Sequence, residues 1–342
     1  MPRRTKTNNI RLVSERAGVS VATVSRVVNN RTDVSEELRK KILAVIEELN
    51  FSPNIGAKRV FNIGVVLTQE KPLMDEYFSE LITGMSAFAG TESADLSIIM
   101  NSGSRKRSLL KQIRERRCDG VCLFAGDMPQ IAELEKAQIP VMMLNYPYRS
   151  DKIGFVNNES YGGETDALEH LIELGHRRIA FLAMDMVADE NHQHRFKAYN
   201  DALKRHGIEK DETLIVDHIP TLHGQEAGYL QTMQLFRQAS DVTAVVVSND
   251  TMAQGTYKAC WETGRKIPDD ISVVGFDDLS ASAYLNPPLT TVAQPLYEIG
   301  YKAANYLYLY LSGTLAELPG ETLETKLVIR NSTAKVKQNV IK

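Results

Sequence analysis

The residues whose types and spacing could do chemistry gather first in AGVSVATVSRVVN, residues 17–29. Arg26 carries a guanidinium that can hold two acceptors at once, as the O6 and N7 of a guanine present them. Beside it Val21, Ala22, Thr23, Ser25 and Asn29 offer small apolar groups, hydroxyls and one amide. They face one way because Val24, Val27 and Val28, at i, i+3 and i+4, make the opposite, apolar stripe of a helix. Ser20 stands where an N-cap is expected. Gly18 suits a tight turn that needs a positive φ or a close helix approach. Together these features read as the turn and second helix of a helix-turn-helix, which sets one short helix in the DNA major groove. An ordinary capped core helix has the same valine stripe, so the stretch alone leaves both readings open.

A second set of polar residues depends on what positions them. From Ile63 on, short apolar runs alternate with helical patterns: IGVVL, LSIIM, GVCLF, IPVMML, RRIAFLAM, TAVVVS and ISVVGF. This alternation predicts parallel, doubly wound α/β sheets. Ligands of such folds sit beyond the carboxyl ends of the strands. That rule selects Thr68 at the end of IGVVL, Asn145 after IPVMML, Asn249 and Asp250 after TAVVVS, and Asp277 after ISVVGF. Arg195 lies in the polar loop-to-helix stretch after RRIAFLAM. A carboxylate, an amide and a guanidinium, were they to converge at such strand ends, would suit a polyhydroxylated ligand such as a sugar. Asp250 precedes a helix and reads as its cap, and Asp278 reads as structural.

Enzyme chemistry finds no footing in the sequence. There is no GxGxxG, GxxxxGK[ST], GxSxG or HExxH run. Gly162 and Gly163 open a helix without making a phosphate cradle. His192 and His194 read as residues of a polar loop beside Arg195 with no third ligand, and His176 follows a helix end. Cys118, Cys122 and Cys260 cannot all pair, and no metal-ligand spacing appears. The expectation is a cytoplasmic non-enzyme with no cofactor, no metal, no secretory signal and no membrane span. The net charge of −3 hides an asymmetry. Residues 1–60 hold twelve Lys and Arg against six Asp and Glu, and the remainder 28 against 37. A basic head on an acidic body fits a protein whose N-terminus alone meets a polyanion.

Across the chain the landmarks fall in one order: AGVS (17–20), TVSRV (23–27), Asn29, Val34, Ser35, Pro53, Asn54 and Ala57. They continue with LGHRRIA (174–180), Arg195, SNDTMA (248–253), IPDDISVVGFDD (267–278) and PPLTTV (287–292). This ordered set, covering nearly the whole chain, resembles the LacI/GalR family of bacterial transcription regulators. The resemblance implies an N-terminal all-α helix-turn-helix headpiece and an α/β core of two doubly wound parallel-sheet lobes, like a periplasmic binding protein. It places the headpiece at 1–51, a hinge at 52–62, the core at 63–334 and a tail at 335–342. Lobe one would hold about 63–157 and 290–318, and lobe two about 158–289 and 319–334.

The resemblance also implies roles. Val21, Ala22 and Arg26 match positions that touch base edges, and the chemistry allows Arg26 to read guanine while Val21 and Ala22 meet thymine methyls. Ser20, Thr23, Ser25 and Asn29 fit phosphate-positioning roles. Helices are expected over Ile10–Ala17 and Ser35–Leu49, the latter with a stripe of Leu38, Ile42, Val45, Ile46 and Leu49; Arg39, Lys40 and Lys41 could reach phosphates or simply be solvated. In the core, Arg195, Asn249 and Asp277 match effector contacts, and Tyr77 and Phe78 match residues lining the other lobe. Asn145 stands where many relatives carry aspartate. No clear counterpart of the family's stacking aromatic exists; His218 and His223 are the nearest. The expected protein is an effector-controlled repressor that binds operator DNA as a homodimer, with a sugar or sugar phosphate as effector. A nucleobase or nucleoside effector, or a solute-binding protein without a DNA role, is the alternative.

The hinge departs from the family. Asn54 matches, but Val60 stands in place of a leucine that wedges into the minor groove, and only Phe61 and Asn62 separate it from Ile63. Gly56 weakens a helix there by ~1 kcal/mol relative to alanine. Either Val60 or Phe61 serves as the wedge, or the headpiece is held differently.

Overall fold

A computed structural model describes residues 10–28, 34–49, 59–67, 76–101, 108–124, 128–184, 190–217 and 222–337. The chain divides into two compact units, Met1–Val60 and Phe61–Lys342.

Three helices make the first unit: α1 (Ile10–Ala17), α2 (Val21–Val28) and α3 (Glu36–Glu48). Their apolar stripes meet in a small core of Val13, Ala17, Val24, Val27 and Ile42. Ser35 caps α3, its hydroxyl accepting the Leu38 N–H at 3.4 Å, and Glu36 and Glu37 favour the positive end of that helix.

The second unit is built on two six-stranded sheets. Lobe one contains β1 (Phe61–Leu67), β2 (Ala94–Met100), β3 (Gly120–Phe124), β4 (Val141–Leu144), β5 (Ile153–Asn158) and the late strand β11 (Gly320–Leu323). They lie in the order β11-β5-β4-β3-β1-β2, all parallel. Lobe two contains β6 (Ile179–Leu182), β7 (Ile215–Val216), β8 (Ala244–Val247), β9 (Ser272–Asp277), β10 (Thr290–Ala293) and β12 (Lys326–Val328). Their order is β12-β10-β9-β8-β6-β7, with only β12 antiparallel. Central strands such as GVCLF and AVVV are buried along their whole length, as helices on both faces require.

Those helices are α4 (Glu76–Thr91), α5 (Leu109–Glu115), α6 (Met128–Lys136) and α11 (Leu296–Leu311) on lobe one, and α7 (Ser160–Glu173), α8 (Glu190–Arg205), α9 (Gly224–Gln238) and α10 (Asp250–Glu262) on lobe two. α4 and α11 cross with their backbones in contact. A Cβ on Gly84 would lie 2.0 Å from Tyr297 O, and one on Gly300 2.0 Å from Leu81 O. Among the described residues no helix is long and apolar enough to cross a membrane.

The chain passes between the lobes three times: at Glu159, at Gln294–Pro295 and at Glu324–Thr325. The second and third passages lie a few residues later than the sequence suggested. Strand β10, expected in lobe one, extends the sheet of lobe two, and β11, expected in lobe two, closes the edge of lobe one. Short polar strands such as GETL carry too little apolar signal to be assigned to a sheet by sequence. The first and third passages are tied together: Glu159 N–H donates to Leu323 O at 2.8 Å, and Thr325 Oγ1 donates to Glu159 O at 2.9 Å. A further correction concerns the hinge. Phe61 and Asn62 are the first residues of β1, so they belong to the core and not to a linker.

Candidate functional site

In the first unit, Gly18 has φ +68°, and a Cβ there would meet nothing within 4 Å. The glycine is needed for its backbone conformation and not for space. Ser20 Oγ accepts the Thr23 N–H at 3.1 Å and shares a 2.8 Å hydrogen bond with Thr23 Oγ1. Val24 and Val27 are buried, so α2 turns Val21, Ala22 and Arg26 outward, all exposed, with Thr23 and Ser25 half-buried at the margin. The side chain of Val28 lies outside the described residues, as do Asn29 and Asn54. Val60 is 51% exposed. Phe61 is buried, edge-on to Tyr308 at 5.6 Å, and is no candidate for insertion into DNA.

In the second unit, a cavity of about 220 Å³ opens between the lobes at the carboxyl ends of their strands. Lobe one contributes Tyr77 and Phe78 from the start of α4, Phe124 from β3, and Leu144 and Asn145 from the end of β4. Phe78 packs edge-on to Phe124 at 5.0 Å and to Tyr77 at 5.4 Å. Asn145, at φ +51°, is a hub of polar contacts. Its amide donates to Tyr77 Oη and, at 3.3 Å, to Gln294 Oε1, while its Oδ1 accepts from Asn158 at 3.1 Å. Asn191 donates to its backbone carbonyl at 2.9 Å.

Lobe two contributes Arg195, Asn249 and Asp277 to the same cavity. Arg195 stands in the middle of α8 and not in a loop. Its Nη1 donates to Ser248 O at 2.6 Å, and its guanidinium lies over the Phe276 ring at 4.2 Å. Asp277 ends β9 at φ +125°, and its Oδ1 accepts from Gln294 Nε2 at 2.6 Å. Asn249 lines the cavity and also caps α10: its Oδ1 accepts the Met252 N–H at 2.7 Å, which leaves its amide NH₂ beside Met184 Sδ at 2.9 Å.

The cap expected at Asp250 is therefore Asn249. Asp250 is fully buried and accepts from Leu279 N–H at 2.9 Å, Ser282 Oγ at 2.6 Å and Thr291 Oγ1 at 2.6 Å. Burial pushes its carboxyl up, against the pull of those donors. Asp278 pairs with Arg330 at 2.7 Å. Buried His176 bonds Thr243 Oγ1, Ser272 Oγ and Ala334 O, each at 3.0 Å. Thr68 and His218 lie outside the described residues, while His223 reaches the cavity from the start of α9.

Several lining residues escaped the sequence reading: Asn158, Ser160, Asn191, His192 and Gln294. Asn158 ends β5 and Gln294 follows β10, so the strand-end rule would have named them had IGFVNN and TTVA been recognised as strands. His192 and His194 are not loop residues. Both lie on α8, two positions apart and so on different faces; His192 is buried at the cavity, and His194 is exposed, 3.8 Å from Glu190. Among the described residues no group of three potential metal ligands occurs.

Comparison with known proteins covers both units. Residues 9–54 match the family model of bacterial regulatory proteins, lacI family, and residues 168–333 that of the periplasmic binding protein-like domain. The ribose operon repressor of Haemophilus influenzae is 30% identical over 336 residues, 95% of this chain and 98% of its own length. The lac repressor dimer bound to operator and the anti-inducer ONPF superposes with a TM-score of 0.78 at 28% identity, over 96% of this chain and 100% of that one. The complex of the transcriptional regulator CelR with cellobiose gives 0.72 at 28% identity, over 95% and 99%.

Proposed function

This chain belongs to the lacI family of bacterial regulatory proteins and is an effector-binding transcription regulator, not an enzyme; from that premise we propose that it is a repressor whose affinity for operator DNA is set by a sugar or sugar phosphate held between its lobes. The observation that carries the reading is the convergence of Tyr77 and Asn145 from one lobe with Arg195, Asn249 and Asp277 from the other on one cavity. A ligand that touches both lobes favours one angle between them, and it moves the equilibrium only by its differential affinity for the two arrangements. Hydroxyl groups match this lining: Asp277 accepts, Arg195 donates, and the amides of Asn145, Asn249 and Gln294 do either. Tyr77 and Phe78 offer aromatic surface for the apolar face of a sugar ring.

DNA is read by α2. Arg26 bonds a guanine edge, Val21 and Ala22 meet thymine methyls, and Ser20, Thr23, Ser25 and Asn29 position the phosphates. Asn54 and Val60 contribute from the hinge. The protein acts as a homodimer, as the lac repressor structure does, so two copies of α2 meet half-sites about one helical turn apart.

The test has two stages. Thermal unfolding against sugars, sugar phosphates and nucleobases identifies a stabilising ligand; at ~100 times its Kd such a ligand adds ~2.7 kcal/mol. Operator DNA selected from a random pool is then titrated with and without it. A ligand lost on Asp277→Ala that also changes operator affinity supports the reading. Stabilisation only by a nucleobase moves the effector class, and operator affinity indifferent to every stabilising ligand overturns the control by effector.

A further inference from the structure

The wall of the cleft hides an acid for which the regulator reading has no use. Glu164 lies one turn beyond Ser160 on α7 and is 5% exposed. α7 packs on α8, β8, β10 and β12. The strands β8 and β10 carry no ionisable side chain, and Lys326 of β12 is exposed. On α7 itself Tyr161 bonds Asp201, Glu169 pairs with Arg205 and His206, His170 bonds Thr333, and Asp166 is exposed. The buried ionisable groups of α8 are His192, Arg195 and Tyr199. Tyr199 spends its proton on Ile179 O at 2.9 Å, which leaves Arg195 as the charge whose field acts on Glu164.

The two side chains are complementary and unmatched. Glu164 Oε1 and Arg195 Nε are both buried, and neither has a hydrogen-bond partner among the described residues. The guanidinium is anchored by Ser248 O on Nη1 and lies over the Phe276 ring. These two contacts hold Arg195 at the cleft. Its charge is either offered to a ligand or cancelled from behind, and one proton on Glu164 decides which.

We propose that the cleft takes an anionic sugar, a polyhydroxylated frame bearing a carboxylate or phosphate, and that Glu164 gates it by holding a proton while Arg195 meets the anion. The proposal rests on the effector reading above and narrows its ligand class. Hydroxyls of the frame are received by Asp277, Gln294 and Asn249, and the anion by Arg195. Burial holds the Glu164 carboxyl up at about 7, against the opposing pull of Arg195. Below that pH the acid is neutral and Arg195 keeps its charge for the ligand. Above it the carboxylate neutralises Arg195 from within, and anion binding weakens. Affinity scaled by the protonated fraction falls about tenfold between pH 6 and pH 8. Glu164 is thus a positioning residue: it touches Arg195 electrostatically and not the ligand.

The experiment uses the full chain and E164Q at constant ionic strength. The probes are sulfate and glucuronate, whose charges do not change between pH 6 and 8, with glucose as the neutral control. Thermal unfolding reads binding, and infrared difference spectra between the two proteins read the protonated carboxyl. The expected result is a carboxylic-acid band at pH 6 that fades by pH 8 and is absent from E164Q. Sulfate and glucuronate should bind the natural chain about tenfold more weakly at pH 8 than at pH 6, and should bind E164Q equally at both. Glucose 6-phosphate at pH 6 then separates a sugar phosphate from a sugar acid. An ionised Glu164 at pH 6, a natural chain indifferent to pH, or the same pH dependence in E164Q overturns the gate. Stabilisation by glucose with none by either anion overturns the anionic class and leaves the effector reading standing. Stabilisation by none of them overturns the anionic class and counts against the effector reading as well.

Discussion

Asn157 and Asn191 exchange two amide hydrogen bonds between the lobes, Asn157 Nδ2 to Asn191 Oδ1 at 3.2 Å and Asn191 Nδ2 to Asn157 Oδ1 at 2.9 Å. Asn157 is the penultimate residue of strand β5 of lobe one and Asn191 lies in the first turn of helix α8 of lobe two, and both are buried. The second amide hydrogen of Asn191 is given to Asn145 O, so one side chain holds two strand ends of the opposite lobe. Asn191→Ala leaves buried polar groups unmatched and is expected to cost about 1–3 kcal/mol. A double-mutant cycle with Asn157→Ala should return a coupling of about 0.5–3 kcal/mol. Additive losses in urea unfolding would show that the pair does not join the lobes energetically.

The recognition helix gives a prediction about sequence preference. Arg26 is exposed, while the cap at Ser20 and the apolar stripe hold α2 in place without it. Arg26→Ala should leave folding intact, cost about 1–3 kcal/mol in operator binding and relax preference at one base pair. Titration of the selected operator and its single-base variants measures both. A uniform loss over all variants would make Arg26 a phosphate contact.

Two glycines should both lose stability on change to alanine, for different reasons. Gly18→Ala meets open space but keeps φ +68°, so the cost is the left-handed backbone alone, about 1–2 kcal/mol. Gly300→Ala gains helix propensity worth ~1 kcal/mol, yet its Cβ falls 2.0 Å from Leu81 O. Forcing α4 and α11 apart should outweigh that gain and destabilise by about 1–3 kcal/mol. Urea unfolding of each variant would tell; a Gly300→Ala protein more stable than its parent would mean the helices part freely.

Much of this architecture is legible in the sequence because hydrophobic periodicity reports burial. The runs that became β1, β3, β4, β8 and β9 are continuous and apolar, and the three headpiece helices follow from their stripes and from Ser20 and Ser35. The cleft residues Asn145, Asn249 and Asp277 are found because they end such runs. What is illegible is polar or long-range. IGFVNN and GETL look like loops until a partner strand pairs with them, and ENHQHR shows no stripe although it starts α8. Glu164 gives no signal at all, since a carboxylate on a helix is ordinarily solvated and only the packing of α7 into lobe two buries it.

Protonation of His176 should work against the folded state on acidification. Its pKa is lowered, chiefly by burial, against the opposing hydrogen bond to Ala334 O and with a smaller push from His170. The unfolded chain takes up a proton near the ordinary value of 6.5 while the folded chain still refuses it. The stability tied to His176 is therefore fully present above that pH and is lost as pH falls through the folded value. His170, whose pKa is also lowered by burial, acts in the same direction. Glu164, held up at about 7, works the other way over the same range, so His176 is read from a difference: between pH 7.5 and 5 the urea midpoint of His176→Gln should rise relative to that of the natural chain. An unchanged difference would place the proton uptake elsewhere.

The boundary between the two units makes the last prediction sharp, because adjacent residues fall on different sides of it. Phe61 is the first residue of β1, buried against Tyr308, and Val60 is 51% exposed. Phe61→Ala empties part of the lobe-one core and should cost about 3–5 kcal/mol of stability. Val60→Ala should lie within about 0.5 kcal/mol of the parent, as exposed substitutions do. If the shortened hinge still inserts a side chain into the minor groove, that side chain is Val60, and Val60→Ala weakens operator binding with stability untouched. Phe61→Ala, compared at a temperature where the core remains folded, should bind operator like the parent. Equal binding by all three proteins would mean that this hinge holds its headpiece without a wedge, and the reverse pattern, with operator binding lost only on Phe61→Ala, would contradict the burial of Phe61 in β1.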